Sequence, residues 1–476
     1  MSVDLASAPF TSSSERFDWE RVQHATLSLL DAARAEQAIV LLSVPAPLVE
    51  VEELLRLRGG DALLWAPAGG PQIAGLGSCV EIRASGQTRF AEVRAQADAL
   101  FRRVRVATPS DPAPPLLLGG FSFQPLREPA GDWAAFGDAH FVLPRISYAR
   151  DERKAILRLA LAPAELRVDV VRGELLALER LRTELSALEH SPAALQRPKL
   201  TAASELPEAV WTSWVEAIRA QIAAGKFEKV VAARAVDFEL SPAPDPVRVL
   251  GQLRLVAPEC TRFAVRRGAA TFLGATPERL VSLRSGVVET EALAGSIRAG
   301  DPAQSAELLD SPKERAEHEL VVGELVRRLE ALVTELRRPA RPEVRALRHV
   351  LHLWTPIRAA LRESLHVLEL VERLHPTPAV GGVPTGDALR WIAENEPTER
   401  GWYSAPIGWC DARGEGEFAV ALRAGLIAGA RARLYAGAGI VAASNAHAEW
   451  LETRLKLQAL TSALGVAPEE LARDQS

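Results

Sequence analysis

The sequence predicts a mixed α+β fold with large antiparallel sheets. In the second half, apolar strand-like segments alternate with turns over residues 229–240, 260–266, 271–283 and 287–293, and a helical run follows them. A doubly wound parallel sheet needs a regular strand, helix, strand alternation, which this chain lacks. With 476 residues, 48% of them hydrophobic, the chain can form a large core or two to three domains.

Composition excludes several classes of protein. A formal charge of -5 and a pI near 6.1 provide no global attraction to nucleic acid or acidic membranes. Cys79, Cys260 and Cys410 lie far apart without CxxC spacing, which argues against a disulfide framework or a zinc knuckle and fits a reducing compartment. We find no basic segment followed by an apolar run at the N-terminus and no membrane-spanning stretch of roughly 20 apolar residues. We therefore expect a cytoplasmic protein.

The first half reads as four strands and two helices. The strands are predicted at residues 38–45, 116–123, 140–150 and 154–162, and the helices at residues 87–106 and 174–188. A polar, proline-containing segment without periodicity follows, and we place the main seam there, between about His190 and Leu206. The expected division is an N-terminal part, residues 1–200, and a catalytic part, residues 205–466.

The second half contains two helices rich in charged residues. One is predicted from Ser311, as N-cap, to Arg338, where Pro339 closes it; Glu314 at its third position has capping-box spacing. The other belongs to the stretch 435–457, which reads as a strand, a turn rich in glycine and alanine around Gly437 and Gly439, and a helix capped by Ser444 or Asn445. A single strand is expected over residues 417–427.

These two helices carry carboxylates at matching spacing. Glu449, Glu452 and Lys456 project from one face of the last helix, and Glu314 and Glu317 from one face of the other. Two helices that each offer glutamates at i and i+3 suit an oxygen-rich Mg²⁺ site with room for water and a ligand oxygen. The competing interpretation is a solvated surface face with helix-stabilising pairs and a cap.

Three further residues have chemistry-bearing positions. Arg423 is expected on a strand face with small neighbours, where its guanidinium suits a carboxylate; the alternative is an edge arginine facing solvent. Lys229 begins an apolar strand, where desolvation would favour a general base; the alternative is a lysine that extends to the surface. Glu278 follows Pro277 beside a loop, and the competing interpretation is an ordinary turn glutamate.

A series of distinctive segments runs through the second half, namely FEKVVAAR (227–234), FLGATPERL (272–280), TEALAGS (290–296), SPKERAEHELVV (311–322), HPTPAVGG (375–382), RGWYSAPIGW (400–409), EFAVALRAG (417–425), YAGAGIV (435–441) and EWLETRLKL (449–457). In this order they closely resemble the motifs of the chorismate-utilising enzymes. The resemblance covers about residues 208–464, and in the N-terminal half LGGFSFQP looks like a stretch of isochorismate synthases. It implies one α+β unit in which two antiparallel sheets pack together with helices outside.

The resemblance also implies roles for individual residues. Lys229 stands where isochorismate and salicylate synthases have the base that activates water, and Glu278 would be the acid. Glu317 and Glu452 would bind Mg²⁺, with Glu314 and Glu449 in support. Substrate contacts are implied for six residues: Gly295, His352, Arg423, Gly437, Gly439 and Lys456. On spacing alone, a lone histidine between apolar residues such as His352 is more often a core residue.

Among these enzymes the chain resembles the isochorismate synthases, which convert chorismate to isochorismate, and the menaquinone-pathway type in particular. Ala294 stands where aminodeoxychorismate synthases have a nucleophilic lysine, which argues against that branch. Salicylate synthases, siderophore-pathway isochorismate synthases and a non-catalytic chorismate-binding paralogue are the alternatives. We expect a monomer or weak homodimer without a glutamine amidotransferase partner.

Overall fold

The computed structural model describes residues 19–107, 114–127, 131–188, 197–301 and 303–466. Its helices are α1 (Trp19–Ala35), α2 (Leu54–Leu57), α3 (Arg89–Arg102), α4 (Val168–Leu188), α5 (Glu208–Ala223), α6 (Pro246–Val256), α7 (Ala303–Asp310), α8 (Pro312–Glu330), α9 (Val367–Leu374), α10 (Thr385–Asn395) and α11 (Ala446–Leu464), with short 3₁₀ turns at Val51–Glu53 and Pro163–Glu165.

The strands are β1 (Ile39–Ala46), β2 (Ala62–Ala66), β3 (Gln72–Ala84), β4 (Val104–Val106), β5 (Leu116–Phe121), β6 (Ala139–Arg150), β7 (Ala155–Leu161), β8 (Lys199–Glu205), β9 (Lys229–Ser241), β10 (Thr261–Arg267), β11 (Ala270–Thr276), β12 (Arg279–Arg284), β13 (Val287–Arg298), β14 (Val333–Arg337), β15 (Glu343–Ala346), β16 (Val350–Leu361), β17 (Gly382–Val383), β18 (Pro406–Asp411), β19 (Gly416–Val420), β20 (Ala424–Ala428) and β21 (Arg431–Ile440).

The described strands form one continuous hydrogen-bonded network with two halves. One half runs β9, β21, β20, β11, β10, β2, β3 and β6, and from β6 the other continues through β5, β18, β19, β12, β13 and β16. Side chains of both halves share a buried cluster that includes Trp65, Phe272 and Trp409. The α+β class is therefore confirmed, and the two packed sheets are halves of one network.

Strands from the first 200 residues pair with strands from the catalytic part. β2 lies beside β10, and β5 lies beside β18. A second buried cluster contains Leu42 and Leu159 from the N-terminal half together with Leu434 and Leu460. The division near residue 200 stays a prediction, and residues 189–196 of the expected seam lie outside the described residues.

Both charged helices begin at their predicted caps. Asn445 accepts a hydrogen bond from the backbone N–H of Ala448 at 3.0 Å, and Ser311 accepts one from that of Glu314. The Glu314 carboxylate does not complete a capping box, because its Oε2 accepts from the backbone N–H of Ser296 instead. The helix from Ser311 also ends at Glu330 and not at Arg338, since residues 333–337 pair with β16 as β14.

Two strands that were predicted to be continuous are interrupted. Residues 271–283 form β11 and β12, with Pro277 and Glu278 between them, and residues 417–427 form β19 and β20, with a break at residues 421–423. Arg423 lies in the second break with φ +47, so it is not a strand residue. Each chain segment changes its partner at its break, and this change depends on distant strands that local patterns do not reveal.

The predicted glycine turn is also wrong. Gly437 and Gly439 lie inside β21, where they pair with Ala233 and Val231 of β9. The turn follows Ile440 instead. Glycines weaken a strand interior and mark places where other groups approach the backbone closely, which is their use here.

None of the described helices is both long and apolar enough to cross a membrane.

Candidate active site

The two strand breaks lie side by side and open a cavity in the sheet. β11 and β20 pair up to Gly274 and Ala424, and β12 and β19 resume pairing at Arg279 and Ala419. Between these pairs, residues 275–278 and 420–423 form an irregular bridge. The Ala275 N–H donates to the Arg423 carbonyl at 3.2 Å, and the Val420 N–H donates to the Glu278 carbonyl at 3.1 Å. These two hydrogen bonds join the backbones of the two breaks, and the side chains of Glu278 and Arg423 line the opening.

The cavity contains about 740 Å³ of space, part of it open to solvent. Nine of the twelve predicted site residues line it: Glu278, Gly295, Glu317, His352, Arg423, Gly437, Gly439, Glu452 and Lys456. The other three lie behind this wall. Lys229 contacts Glu317, and Glu314 accepts a hydrogen bond from the backbone N–H of Ser296, and both of these partners line the cavity. Glu449 contacts Lys313, which also contacts Glu314. The structure therefore brings the predicted residues of distant segments together.

Glu278 is a buried acid and not an ordinary turn glutamate. It is 3% exposed. Burial and the neighbouring carboxylate of Glu291 raise the pKa of Glu278 to about 8, against the opposing effect of Lys229 and Lys456. The side chain therefore carries a proton at neutral pH, as a general acid must.

Lys229 is completely buried, which rules out a lysine that reaches the surface. Its Nζ lies 2.9 Å from Glu317 Oε1 and has no hydrogen-bond partner with good geometry in the described part of the chain. Burial opposes the charge of Glu317, but Lys229, then Lys456 and Lys313, outweigh it and lower the pKa of that carboxyl. Lys229 does not line the cavity itself, because Glu317 and Gly439 stand in front of it.

Gly439 makes room for this ion pair. A Cβ at residue 439 would collide with the Glu317 carboxylate and lie 2.9 Å from Lys229 Cε. We expect Gly439→Ala to lower kcat about 10-fold or more, since small displacements of catalytic groups are costly. Gly323→Ala is the matched control, because nothing lies within 4 Å of a Cβ there and alanine favours the helix. Equal kcat values for the two variants would contradict this role of Gly439.

The predicted carboxylate face is not a solvated surface, because Glu449 is buried and Glu314, Glu317 and Glu452 are half-buried. Glu449 is 1% exposed, and burial and Glu452 raise its pKa to about 7. Burial raises the pKa of Glu314, to which Glu317 and Glu452 add. Lys313 Nζ spans the two helices, 2.9 Å from Glu449 Oε1 and 3.3 Å from Glu314 Oε1.

The four glutamates fit a divalent cation by their chemistry. They supply only hard oxygen donors, and their mutual repulsion is what a cation would relieve. In the described residues, no three of the side chains that could ligate a metal converge on one point. Mg²⁺ commonly takes one or two carboxylates and completes its shell with water and substrate oxygens, so this arrangement suits it better than an all-protein cage would.

Arg423 and His352 form the cationic end of the cavity. Arg423 Nη2 lies 3.1 Å from His352 Nε2, and His352 Nδ1 lies 2.9 Å from Ser296 Oγ. Burial and then Arg423 hold the pKa of His352 well below its usual value, so the ring is neutral. Because arginine only donates, Nε2 accepts and the ring proton sits on Nδ1. His352 is thus a 6% exposed residue that orients Arg423 at the cavity and not merely a core histidine.

Lys456 and Gly295 complete the walls. Lys456 Nζ donates to the Gly437 carbonyl at 2.9 Å and pairs with Glu452 Oε1 at 2.7 Å. Burial opposes its charge, but Glu452 raises the pKa of Lys456. Gly295 has φ +78 at a bulge in β13, and a Cβ there would crowd Glu314.

Several site residues were not predicted from sequence. Tyr403 lines the cavity and stacks on Tyr435 with ring centroids 5.2 Å apart. Arg400 lines it too and is held by Glu396 through contacts of 2.6 and 2.7 Å. Lys313 was overlooked although it precedes Glu314. The RGWYSAPIGW segment, which holds Arg400 and Tyr403, was the available signal.

Comparisons with known proteins agree with this site. A family model described as chorismate binding enzyme matches residues 27–465. A salicylate biosynthesis isochorismate synthase of Pseudomonas aeruginosa is 40% identical over 82% of this chain and 82% of its own length. The isochorismate synthase MenF of Bacillus subtilis is 36% identical over 74% of this chain and 75% of its own length.

A solved structure is similar over almost the whole chain. It is that of MenF, the menaquinone-specific isochorismate synthase from Escherichia coli, with a TM-score of 0.75, 27% identity and coverage of 93% of this chain and 100% of that chain. The family match spans both halves of the sheet and all twelve predicted site residues. The chain belongs to the chorismate binding enzyme family.

Proposed function

We propose that this chain is an isochorismate synthase, an isomerase that interconverts chorismate and isochorismate with Mg²⁺. The observation that carries the proposal is that Glu278, a buried carboxyl whose pKa is raised to about 8, lines the same cavity as Arg423 and Lys456, with Lys229 directly behind the wall. Chorismate is a dianion with a hydroxyl that must leave. The cavity offers cations for the carboxylates and an acid for the hydroxyl.

In the proposed reaction, Lys229 takes a proton from a water molecule whose oxygen forms a bond to C2 of the ring. The ring double bonds shift, and the C4–O bond breaks as Glu278 gives its proton to the departing hydroxyl, which leaves as water. Lys229 must act as a neutral amine, so its contact with Glu317 has to be relieved during the cycle. The reverse reaction exchanges the two roles.

Arg423 and Lys456 would hold the substrate carboxylates. His352 accepts from one nitrogen of Arg423, and within the described residues the other donors of this guanidinium have no partner, so they can bind a carboxylate in the cavity. Glu317 and Glu452 would hold Mg²⁺, with Glu314 and Glu449 as supporting or water-mediated ligands. The ion would neutralise the ring carboxylate.

Replacing a proposed metal ligand should weaken Mg²⁺ binding. We expect Glu452→Gln to raise the Mg²⁺ dissociation constant about 100-fold, since the carboxylate charge is lost while its shape is kept. Isothermal titration with MgCl₂ measures this without turnover. Glu319→Gln is the control, because Glu319 is exposed on α8 beyond Glu317. An unchanged Mg²⁺ titration for Glu452→Gln would remove that residue from the metal site.

The activity itself is tested by incubating the protein with chorismate and Mg²⁺ and separating the products by liquid chromatography. Isochorismate alone is expected. Salicylate fluorescence without an added lyase would instead support a salicylate synthase, which continues by eliminating pyruvate. Absence of both products, with chorismate still bound, would support a non-catalytic paralogue.

We further propose the menaquinone pathway, which the Escherichia coli and Bacillus subtilis relatives support by their names or descriptions. The Pseudomonas aeruginosa relative favours an isochorismate-consuming route to salicylate as the second candidate. Restoration of menaquinone in a strain that lacks its own isochorismate synthase tests the first assignment. A cytoplasmic location and a monomeric or weakly dimeric state complete the proposal, and light scattering of the purified protein measures the latter.

A further inference from the structure

The backbone on both sides of Glu278 is held by a pair of charged residues that sequence reasoning did not assign. Glu278 lies in a break, where ladder hydrogen bonds cannot fix the direction of its side chain. Arg345 Nη1 donates to the carbonyl of Pro277 at 2.8 Å, before Glu278. Glu291 Oε1 accepts from the N–H of Arg279 at 2.8 Å, after it.

These two residues are fixed to each other. The guanidinium of Arg345 meets the carboxylate of Glu291 through two parallel contacts, each of 2.9 Å. Trp354 adds a third donor, its Nε1 lying 2.8 Å from Glu291 Oε2, and its ring lies 4.3 Å below the guanidinium. Such a bidentate pair has a defined orientation as well as strength. Arg345 belongs to β15, Glu291 to β13 and Trp354 to β16, so the sheet fixes their positions. We call the pair Glu291 and Arg345 the clamp.

The clamp lies outside the chemistry but close to it. Glu291 is 7% exposed and does not line the cavity, so it has no access to a substrate there. Ion pairs at the surface contribute little to stability. This pair is largely buried, and it forms hydrogen bonds with the peptide groups on both sides of Glu278. A structural pair that only joined β13 to β15 would not need contacts on both Pro277 and Arg279.

We infer that Glu291 and Arg345 are positioning residues, which hold the segment Pro277–Arg279 so that the Glu278 carboxyl points into the cavity. The inference rests on the proposed role of Glu278 as the acid. Among the described residues, four charged groups act on the Glu278 carboxyl: Glu291 from β13, Arg345 from β15, Lys229 from β9 and Lys456 from α11. Of these, Glu291 supplies the negative charge that works with burial to keep the carboxyl protonated.

The test is Glu291→Gln in the 476-residue chain. Glutamine still offers one oxygen to Arg279 but loses the charge and the second contact with Arg345. We expect kcat to fall about 10- to 100-fold with KM within about twofold, because the substrate contacts are untouched. We also expect the upper limb of the pH–kcat profile to move about one pH unit lower, since the repelling charge is gone.

The matched control is Glu289→Gln. Glu289 lies two residues earlier on β13 and pairs with the side chains of Arg279 and Arg358, but it touches no backbone of the break. It should behave as the wild type. Arg345→Lys is the second variant, which keeps the positive charge but cannot form the two parallel hydrogen bonds with Glu291. It should lose kcat with KM unchanged, and it serves if Glu291→Gln does not fold.

A readout without turnover separates this inference from the proposed function. The titration of Glu278, followed as the difference in carboxyl infrared absorption between each protein and its Glu278→Gln partner, should move to lower pH in Glu291→Gln and stay in place in Glu289→Gln. If it moves while no isochorismate forms in the wild type, the function fails and the positioning stands. If Glu291→Gln keeps wild-type kcat and Glu278 titration, the positioning is wrong whatever the function.

Discussion

Lys229→Ala is expected to lower kcat for isochorismate formation about 10²- to 10⁴-fold, the usual contribution of a general base. The side chain is wholly buried against Glu317. Binding of chorismate with Mg²⁺ should survive, because Arg423 and Lys456 are separate from it. Stopped chromatographic assays give kcat, and equilibrium titration with chorismate gives binding.

The control for this variant is Lys226→Ala, which removes an exposed lysine three residues earlier. It should retain wild-type kcat. Lys229→Ala also leaves Glu317 without the cation that pairs with it. The Mg²⁺ affinity of this variant should therefore rise and not fall, because the ion no longer competes with the lysine for that carboxylate. Near-normal turnover in Lys229→Ala would remove this lysine from the mechanism, and loss of both binding and turnover would show a structural role instead.

Glu278→Gln is expected to have a comparable effect on kcat, about 10²- to 10⁴-fold, since the amide keeps the shape but has no proton to give to a leaving hydroxyl. The wild-type rate should fall as the pH rises above about 8, where the native carboxyl loses its proton. The residual rate of the variant should lack that limb. A pH profile of kcat for both proteins measures this.

Glu278→Gln should lower activity but raise the stability of the fold. The pKa of Glu278 is about 8 in the folded protein against 4.5 for an ordinary glutamate, so between these values the native state holds a proton that the unfolded chain has released. Stability therefore falls as the pH rises through that window. Glu278→Gln should melt at a higher temperature than the wild type, by a margin that grows from about pH 5 to pH 8. A margin independent of pH would contradict the raised pKa.

Much of the fold followed from local patterns. The helix from Asn445 begins where its predicted cap places it, and the strand that starts at Lys229 continues as predicted. The breaks at Pro277–Glu278 and at residues 421–423 did not follow, because a strand stops there only when its partner changes. β14 was missed for the same reason: VTELR continues a helical pattern, yet pairing with β16 prevails.

The site was predicted mainly through its motifs. Spacing alone placed Glu449, Glu452 and Lys456 on one helix face, but it could not tell a buried face from a solvated one. That distinction depends on α8, whose Lys313 reaches across to Glu449. Nothing in the local sequence predicted roles for Glu291, in TEALAGS, or for Arg345. Their contact is seen only in the folded sheet, where β13 and β15 both pair with β16.

The interruption of two neighbouring strands has a consequence for amide hydrogen exchange. β11, β12, β19 and β20 each pair with a neighbouring strand on both sides, so their amides should exchange slowly and together. The two strand breaks should not speed exchange much, because the backbone amides of Ala275, Val420 and Arg279 each donate a hydrogen bond. The acid of this protein would then be carried by one of its slowest-exchanging segments, and any opening that admits substrate would have to come from elsewhere in the cavity wall.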